Sequence, residues 1–409
     1  MSAPTGHRPG RVLGAHPVRA VVVEGFTTRL AFGVVTFAMP LYARQLGMSL
    51  AEIGVLVALK ALIEPAVKPF MGRAVDRWGA RRGYLTAVTV RLVASVLLFT
   101  ATTPVSLYAV RLVQGAASAA RDPASINVVA DSSERKLGRA FSLSFGAKDL
   151  GAVSAGALGG LLLSGSGNDF RLLWGLVAVI SLVPVVVIWL WVPRPERKPA
   201  VVAATAAPPR KAEPPAGSRV FHDRRLRLLC ALGLLAGVTA HMTHGLFPVI
   251  ATEVAGLSPG QIGAIYSASV LVLIVVGPLA GLAADRFGAA PLTGARGLAN
   301  TLSSLLYLVF PTAGGLLAGR LVDDAGKAAF RPPWGSMLAQ AARGAGPRAG
   351  RVAATLDTAL SVGEACGPII ATLLWDVWGL AAFLLARAAL GIATELVVTR
   401  RLCRTAPAQ

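Results

Sequence analysis

The sequence predicts an all-α membrane protein: twelve transmembrane helices in two six-helix repeats related by a pseudo-two-fold axis. Three observations carry that expectation. Of the 409 residues, 54% are hydrophobic, and a mean hydropathy of +0.63 places the chain among membrane proteins on composition alone. Apolar windows about 20 residues long, the length that crosses bilayer hydrocarbon, recur from end to end. The second half also repeats landmarks of the first at a constant spacing.

The windows run in order at 18–44, 50–72, 83–103, 105–130, 138–163 and 171–192, then at 227–252, 259–283, 290–313, 315–340, 352–374 and 378–399. No water reaches the hydrocarbon to satisfy backbone amides, so each window has to be a helix, and the strict alternation of barrel strands is absent. Pro65, Pro69, Pro184 and Pro278 lie inside spans; in a packed membrane bundle they mark kinks or close packing. Between spans 6 and 7 runs PRPERKPAVVAATAAPPRKAEPPAGSR, a Pro, Ala and basic mixture without periodicity that reads as a flexible linker. The expected organisation is a tail at 1–17, a first bundle at 18–193, a linker at 194–225, a second bundle at 226–400 and a tail at 401–409.

Forty Lys and Arg against twenty Asp and Glu give a formal charge of +20, which invites a nucleic-acid reading. Placement excludes it. The basic residues crowd into both termini and the even-numbered connections: Arg73, Arg77, Arg81 and Arg82 after span 2, Arg135, Lys136 and Arg139 after span 4, and a run from Arg194 to Arg227 after span 6. The other side holds Arg44 and Arg171. By the positive-inside rule both termini are expected in the cytoplasm, under a plasma or inner membrane. The partner of this basicity is the lipid bilayer. Cys230, Cys366 and Cys403 lack paired spacing, so no disulfide framework, metal or cofactor is expected. The N-terminal stretch has no short apolar core of a cleaved signal peptide.

One offset of 209 residues sets Ser49, Ile53, Gly54 and Pro69 on Ser258, Ile262, Gly263 and Pro278. It also carries Gly72, Asp76, Arg77 and Gly79 onto Gly281, Asp285, Arg286 and Gly288, and RLVQGAASAARDP (from Arg111) onto RLVDDAGKAAFRP (from Arg320). Repeated halves of matching topology are how many secondary transporters are built, with the binding site near the midplane where the repeats meet.

On these residues the chain resembles the major facilitator superfamily over nearly its whole length. The family's signature between helices 2 and 3, Gly-x-x-x-Asp-Arg-x-Gly followed by basics, is met by Gly72, Asp76, Arg77, Gly79, Arg81 and Arg82. Its helix 4 signature, Arg-x-x-Gln-Gly, is met by Arg111, Gln114 and Gly115, and ADSSERKLGRAFSL resembles the drug-efflux branch. The antiporter signature of helix 5 is met in part, by Gly156, Gly159 and Gly160, without its Pro. The resemblance implies a major facilitator fold and a cytoplasmic gate: Gly72 and Gly79 give tight turns, Arg77 and Arg81 hold the loop inside, and Asp76 is the latch with Asp131 as partner. Gly281, Asp285 and Arg286 would form a weaker copy.

An unpaired charge at the bilayer centre costs ~2.5–3.5 kcal/mol, so charges within spans must pair, snorkel or face a wet cavity. Arg19 and Glu395, with Arg91 and Arg387, are expected to snorkel from span ends. Lys60, Glu64 and Lys68, and likewise Asp323, Lys327 and Arg331, recur at i, i+4 and i+8 and can pair along one face. Arg111 shares a polar face of span 4 with Ser118, Asp122 and Ser125. Glu24 and Arg29 come from span 1, Lys148 and Asp149 from span 5, Asp324 from span 10, and Asp357 and Glu364 from span 11. A carboxylate that alternates between burial and a cationic partner is what proton coupling requires, and Asp149 and Asp323 are the first candidates as carriers. Arg111, always charged, is expected to clamp a carboxylate with its planar fork. His241 and His244 read as polar cavity lining, proton-titrating groups or a metal pair; two ligands alone do not make a metal site.

These readings give a monomeric secondary transporter, not an enzyme, that exports a small drug-like or metabolite compound in exchange for protons. Proton symport or uniport of an anionic metabolite is the alternative within transport. A transport-inactive receptor or scaffold is the alternative outside it.

Overall fold

The structure, a computed structural model, describes residues 17–132, 137–193, 223–287, 289–344 and 349–399. In the first half, α1 (Pro17–Gln45), α2 (Leu50–Trp78), α3 (Ala80–Thr100), α4 (Pro104–Ser132), α5 (Leu137–Gly165) and α6 (Phe170–Trp191) each correspond to one predicted span. In the second half, α7 (Arg224–His244) and α8 (Phe247–Ala255) share a span, and α9 (Pro259–Phe287), α10 (Ala289–Val309) and α11 (Ala313–Gly344) take one each. The long α12 (Ala349–Ala393) contains two spans divided at Gly379, whose φ of 83° suits glycine and few other residues, and a π-helical segment, Thr394–Thr399, follows it. The result is twelve membrane helices in two six-helix repeats. On composition alone α1, α6, α7, α9, α12 and most of α3 are apolar enough to cross a bilayer; α2 and α11 fall short because they carry the charges described below. Most of the expected linker and of both tails lies outside the described residues.

Two boundaries differ from expectation, each for a backbone reason. The charged connection after span 2 is a single residue: α2 continues through Trp78, so Gly72 is helical and makes no turn, and Gly79 alone (φ 83°) redirects the chain into α3. Span 7 breaks after His244, because Pro248 has no N–H to give to the His244 carbonyl and its ring would collide with it. The freed carbonyl accepts from the Tyr266 hydroxyl at 3.1 Å.

The halves meet at the end of the bundle farthest from the start of α1. There α5 presents Gly156 and Gly160 to Pro259, Gly260 and Gly263 of α9, so closely that a Cβ on Gly156 would stand 2.7 Å from the Gly263 carbonyl. Small residues at helix crossings allow this approach. The repeat image sets Gly54 of α2 against Pro368 and Thr372 of α12. Ser267 Oγ donates to the Val153 carbonyl at 2.6 Å and accepts from Ala157 N at 2.9 Å; Gly260 N donates to Ser164 Oγ at 2.8 Å. Arg44 pairs with Glu253 at 2.6 Å. These two residues are 209 positions apart, as equivalent sites beside a pseudo-two-fold axis should be. Nearer the start, on the same helix pair, Gly146 and Gly277 have nothing within 4 Å of where a Cβ would stand. Among the described residues the space between the halves is thus closed at the far end and open at the end where α1 begins.

Gly156→Val is expected to exclude this sealed arrangement. A cost of ~1.4 kcal/mol is already tenfold in a state's population, so transport should fall about tenfold or more at normal membrane abundance. Wild-type flux in that variant would show that the α5–α9 contact is not needed in the cycle.

Candidate functional site

Among the described residues a dense charge cluster is built on α11. Asp323, fully enclosed, faces Arg296 of α10 at 3.1 Å, Arg387 of α12 at 2.7 Å and Lys327 one turn on at 3.1 Å, with Thr243 of α7 at 3.4 Å. Asp324 accepts from Lys327 Nζ at 2.8 Å and forms an ion pair, without a hydrogen bond, with Arg320 Nε at 3.1 Å. The Arg320 guanidinium also lies over the rings of Phe247 (5.0 Å) and Tyr266 (4.6 Å), and Tyr266 meets Phe37 of α1 edge-on at 5.7 Å. Four cations here face two carboxylates. His244 Nδ1 is 3.5 Å from Lys327 Nζ, and an ammonium at that distance opposes a metal on the His241–His244 pair. Among the described residues no three His, Cys, Asp or Glu gather as metal ligands.

Arg387 does not snorkel. Its Nε donates to the Thr239 carbonyl (2.7 Å), its Nη1 to Ser303 (2.8 Å) and Ser304 (2.9 Å), and its Nη2 to Asn300 Oδ1 (2.9 Å) as well as to Asp323. A guanidinium with its donors engaged and a carboxylate beside it tolerates burial. Arg296 was not among the predicted site residues. The signal for it is a polar stripe on α10, with Arg296, Asn300, Ser303, Ser304 and Tyr307 at helical spacing.

In the first half Glu24 is fully enclosed. It accepts from Arg121 Nε (2.7 Å) and Nη2 (2.9 Å), from the Tyr84 hydroxyl (2.6 Å) and from Thr28 (2.9 Å), tying α1, α3 and α4 together. The bidentate fork expected of Arg111 is therefore Arg121's. Arg111 is 3% exposed, reaches Gln114 Oε1 at 3.4 Å, and has an Nε with no hydrogen-bond partner. Arg91, expected to snorkel, instead turns inward, donating to Ser118 at 2.9 Å with its guanidinium 5.8 Å from the Phe32 ring.

The other candidates line the space between the halves. Lys60 pairs with Glu64 at 3.0 Å and sits 4.7 Å from the Phe32 ring. Glu364 of α12 has Lys60 and Glu64 of the opposite half, and Arg331 and Asp357 of its own, within electrostatic reach. Exposed Asp149 of α5 has Arg29 and Lys148 of its own half and Arg331 of the other. Each of these two acids thus has a cation of the other repeat within electrostatic reach. His241 sets Nδ1 3.3 Å from the Gly237 carbonyl, its ring edge-on to His244 at 5.5 Å.

At the open end Arg81 caps α6, donating to the carbonyls of Trp189 (2.9 Å) and Val192 (2.7 Å), as basic groups do at helix C-termini. Arg77 is exposed in the last turn of α2, and Asp285 and Arg286 in that of α9, with Arg286 5.6 Å from the Phe287 ring. Gly281 faces Pro332, 4.0 Å from its Cβ position. The side chains of Asp76, Asp122 and Asp131 lie outside the described residues.

Paired six-helix repeats around a charged space are the two-repeat architecture on which many secondary transporters are built. A family model, Major Facilitator Superfamily, matches residues 23–258 and 229–407. The chain belongs to that superfamily, whose members carry solutes and are not enzymes. It is 36% identical over 173 residues to the multidrug resistance protein B homolog of Mycobacterium tuberculosis, a match covering 41% of this chain and 32% of that protein. It is 31% identical over 133 residues to the vesicular acetylcholine transporter of Homo sapiens, covering 32% and 25%. The chain thus spans a third or less of the curated relatives it matches. Among solved structures, the nucleoside transporter NupG superposes with a TM-score of 0.75 at 15% identity, over 95% of this chain and 98% of that one. A bacterial homolog of the human lysosomal transporter Spinster, inward-facing and unoccupied, gives 0.69 at 14% identity, over 95% and 94%. At such identities the likeness establishes the fold.

Proposed function

We propose that the protein is a proton-coupled exporter of a small drug-like or metabolite compound. It acts as a monomer in the plasma or inner membrane with both termini in the cytoplasm. The observation that carries the coupling is that two acids each have a cation of the opposite half within electrostatic reach, Asp149 with Arg331 and Glu364 with Lys60. When one half rocks on the other, groups within a half keep their neighbours and cross-half neighbours change. A carboxylate whose cation belongs to the other half gains and loses that cation in each cycle, and its proton affinity follows. Asp323 is held by Arg296, Lys327 and Arg387 of its own half, which move with it, so its role is to bind α10, α11 and α12 into one body. The basic connections at the open end support the orientation, and the likeness to a multidrug resistance protein homolog supports export.

In proteoliposomes a panel of amphipathic compounds should accumulate when the interior is acid and not when the exterior is. Accumulation with an acid exterior alone identifies symport, and equal rates at either sign identify uniport. One observation favours the rival, uptake of an anionic metabolite: in the second half Arg296, Arg320, Lys327 and Arg387 outnumber the acids beside them, Asp323 and Asp324, and in the first half enclosed Arg111 reaches only Gln114 among the described residues.

A further inference from the structure

α2 and α4 run parallel and touch where Gly115 lies against Ile63, which a Cβ on that glycine would meet at 2.9 Å. One turn toward the sealed end of each helix stand Lys60 and Arg111, close enough for their charges to act on each other, with Arg91 of α3 a third cation in reach of Lys60. Among the described residues the acids nearby are Glu64, on Lys60 at 3.0 Å, and Glu364, which reaches Lys60 from α12. Neither is paired with Arg111. Its hydrogen bond to Gln114 is long at 3.4 Å and its Nε is unpartnered, although the residue is 97% enclosed.

The repeat-related Arg320 shows what is missing. Its Nε and Nη1 also make no hydrogen bond, but its charge is met by Asp324 at 3.1 Å and by two aromatic faces, whereas Gln114 and Gly115 occupy the positions equivalent to Asp323 and Asp324. An enclosed guanidinium is stable with an anion against it, and here the described residues supply none. Lys60, with a side chain 22% exposed, opens the pocket to the cavity. The Phe32 ring, 4.7 Å from its ammonium, offers a wall for an apolar body.

We infer that Arg111, backed by Lys60 and Gln114, docks a carboxylate group carried by the transported compound. This rests on the transport reading and is independent of direction and of proton coupling. A carboxylate matches the planar guanidinium fork, which a spherical halide does not.

The test uses purified full-length protein, thermal unfolding and equilibrium binding, with benzoate, 2-naphthoate and decanoate each set against its own amide, and sodium chloride at matched ionic strength. At least one carboxylate should bind and raise the melting temperature where its amide and chloride do not. Arg111→Gln should weaken that binding about tenfold or more, the worth of charge-assisted hydrogen bonds. Without ligand this variant should melt at or above the wild-type temperature, since an unneutralised enclosed charge has been removed, whereas Arg320→Gln should melt lower. The inference is overturned if no carboxylate outbinds its amide, if chloride does as well, or if Arg111→Gln binds like wild type. It is also overturned if Arg111→Gln melts as low as Arg320→Gln, which would make Arg111 a structural counter-ion. Loss of proton coupling would appear in gradient-driven flux and leave the binding difference intact, so the two readings fail separately.

Discussion

Asp149→Asn is expected to abolish transport driven by a pH gradient while gradient-free exchange of the same compound continues. An amide cannot take up and release a proton, yet it keeps the size of the carboxylate at a site already exposed to the cavity. The loss should therefore fall on coupling and spare folding and substrate binding. Glu364→Gln should behave similarly if the two acids share the load, and Asp149→Glu should recover part of the driven flux. Full driven flux in Asp149→Asn would remove this residue from the coupling path. Loss of exchange together with drive would make it a substrate ligand or a structural partner.

Arg387→Met should produce the largest loss of stability. Removing one partner of an enclosed ion pair costs about 3–5 kcal/mol, set against net stabilities of only about 5–15 kcal/mol. Here the same deletion also strands the acceptors on Thr239, Asn300, Ser303 and Ser304. Little folded protein should be recovered from membranes, and what is recovered should melt well below wild type. Arg44→Met is the control. Its pair with Glu253 is 43% and 29% exposed, and exposed pairs contribute about 0–1 kcal/mol. Equal melting temperatures for the two variants would refute the contrast.

The helices and their duplication were legible because both signals are local: hydropathy over about 20 residues and a fixed offset between landmarks. The break at His244 was also present in the sequence, in Pro248 four residues on, but hydropathy averages over it. Charge partners were harder. Lys60 with Glu64 and Asp323 with Lys327 follow from helical spacing, while Glu24 with Arg121 joins residues 97 positions apart and depends on how α1 and α4 pack. Arg387 looked like a span-end charge because position along a span does not say whether acceptors wait beside it; those acceptors come from α7 and α10. The absence of a carboxylate on Arg111 was readable after all, since the offset sets Gln114 and Gly115 where the other half has Asp323 and Asp324.

A chain made from its first residue onward meets its charge networks in order. Glu24, Tyr84 and Arg121 are all present once the fourth helix has been synthesised, so the first bundle can neutralise its enclosed acid early. The second bundle cannot. Arg296 and Asp323 are made with α10 and α11, but Arg387 belongs to the final span. Until that span is inserted, α10 and α11 hold polar groups that lipid does not solvate. Biogenesis of the second bundle is therefore completed by its last helix, and a chain that stops short of it keeps an unfilled acceptor surface by which a membrane quality-control system can tell unfinished protein from finished.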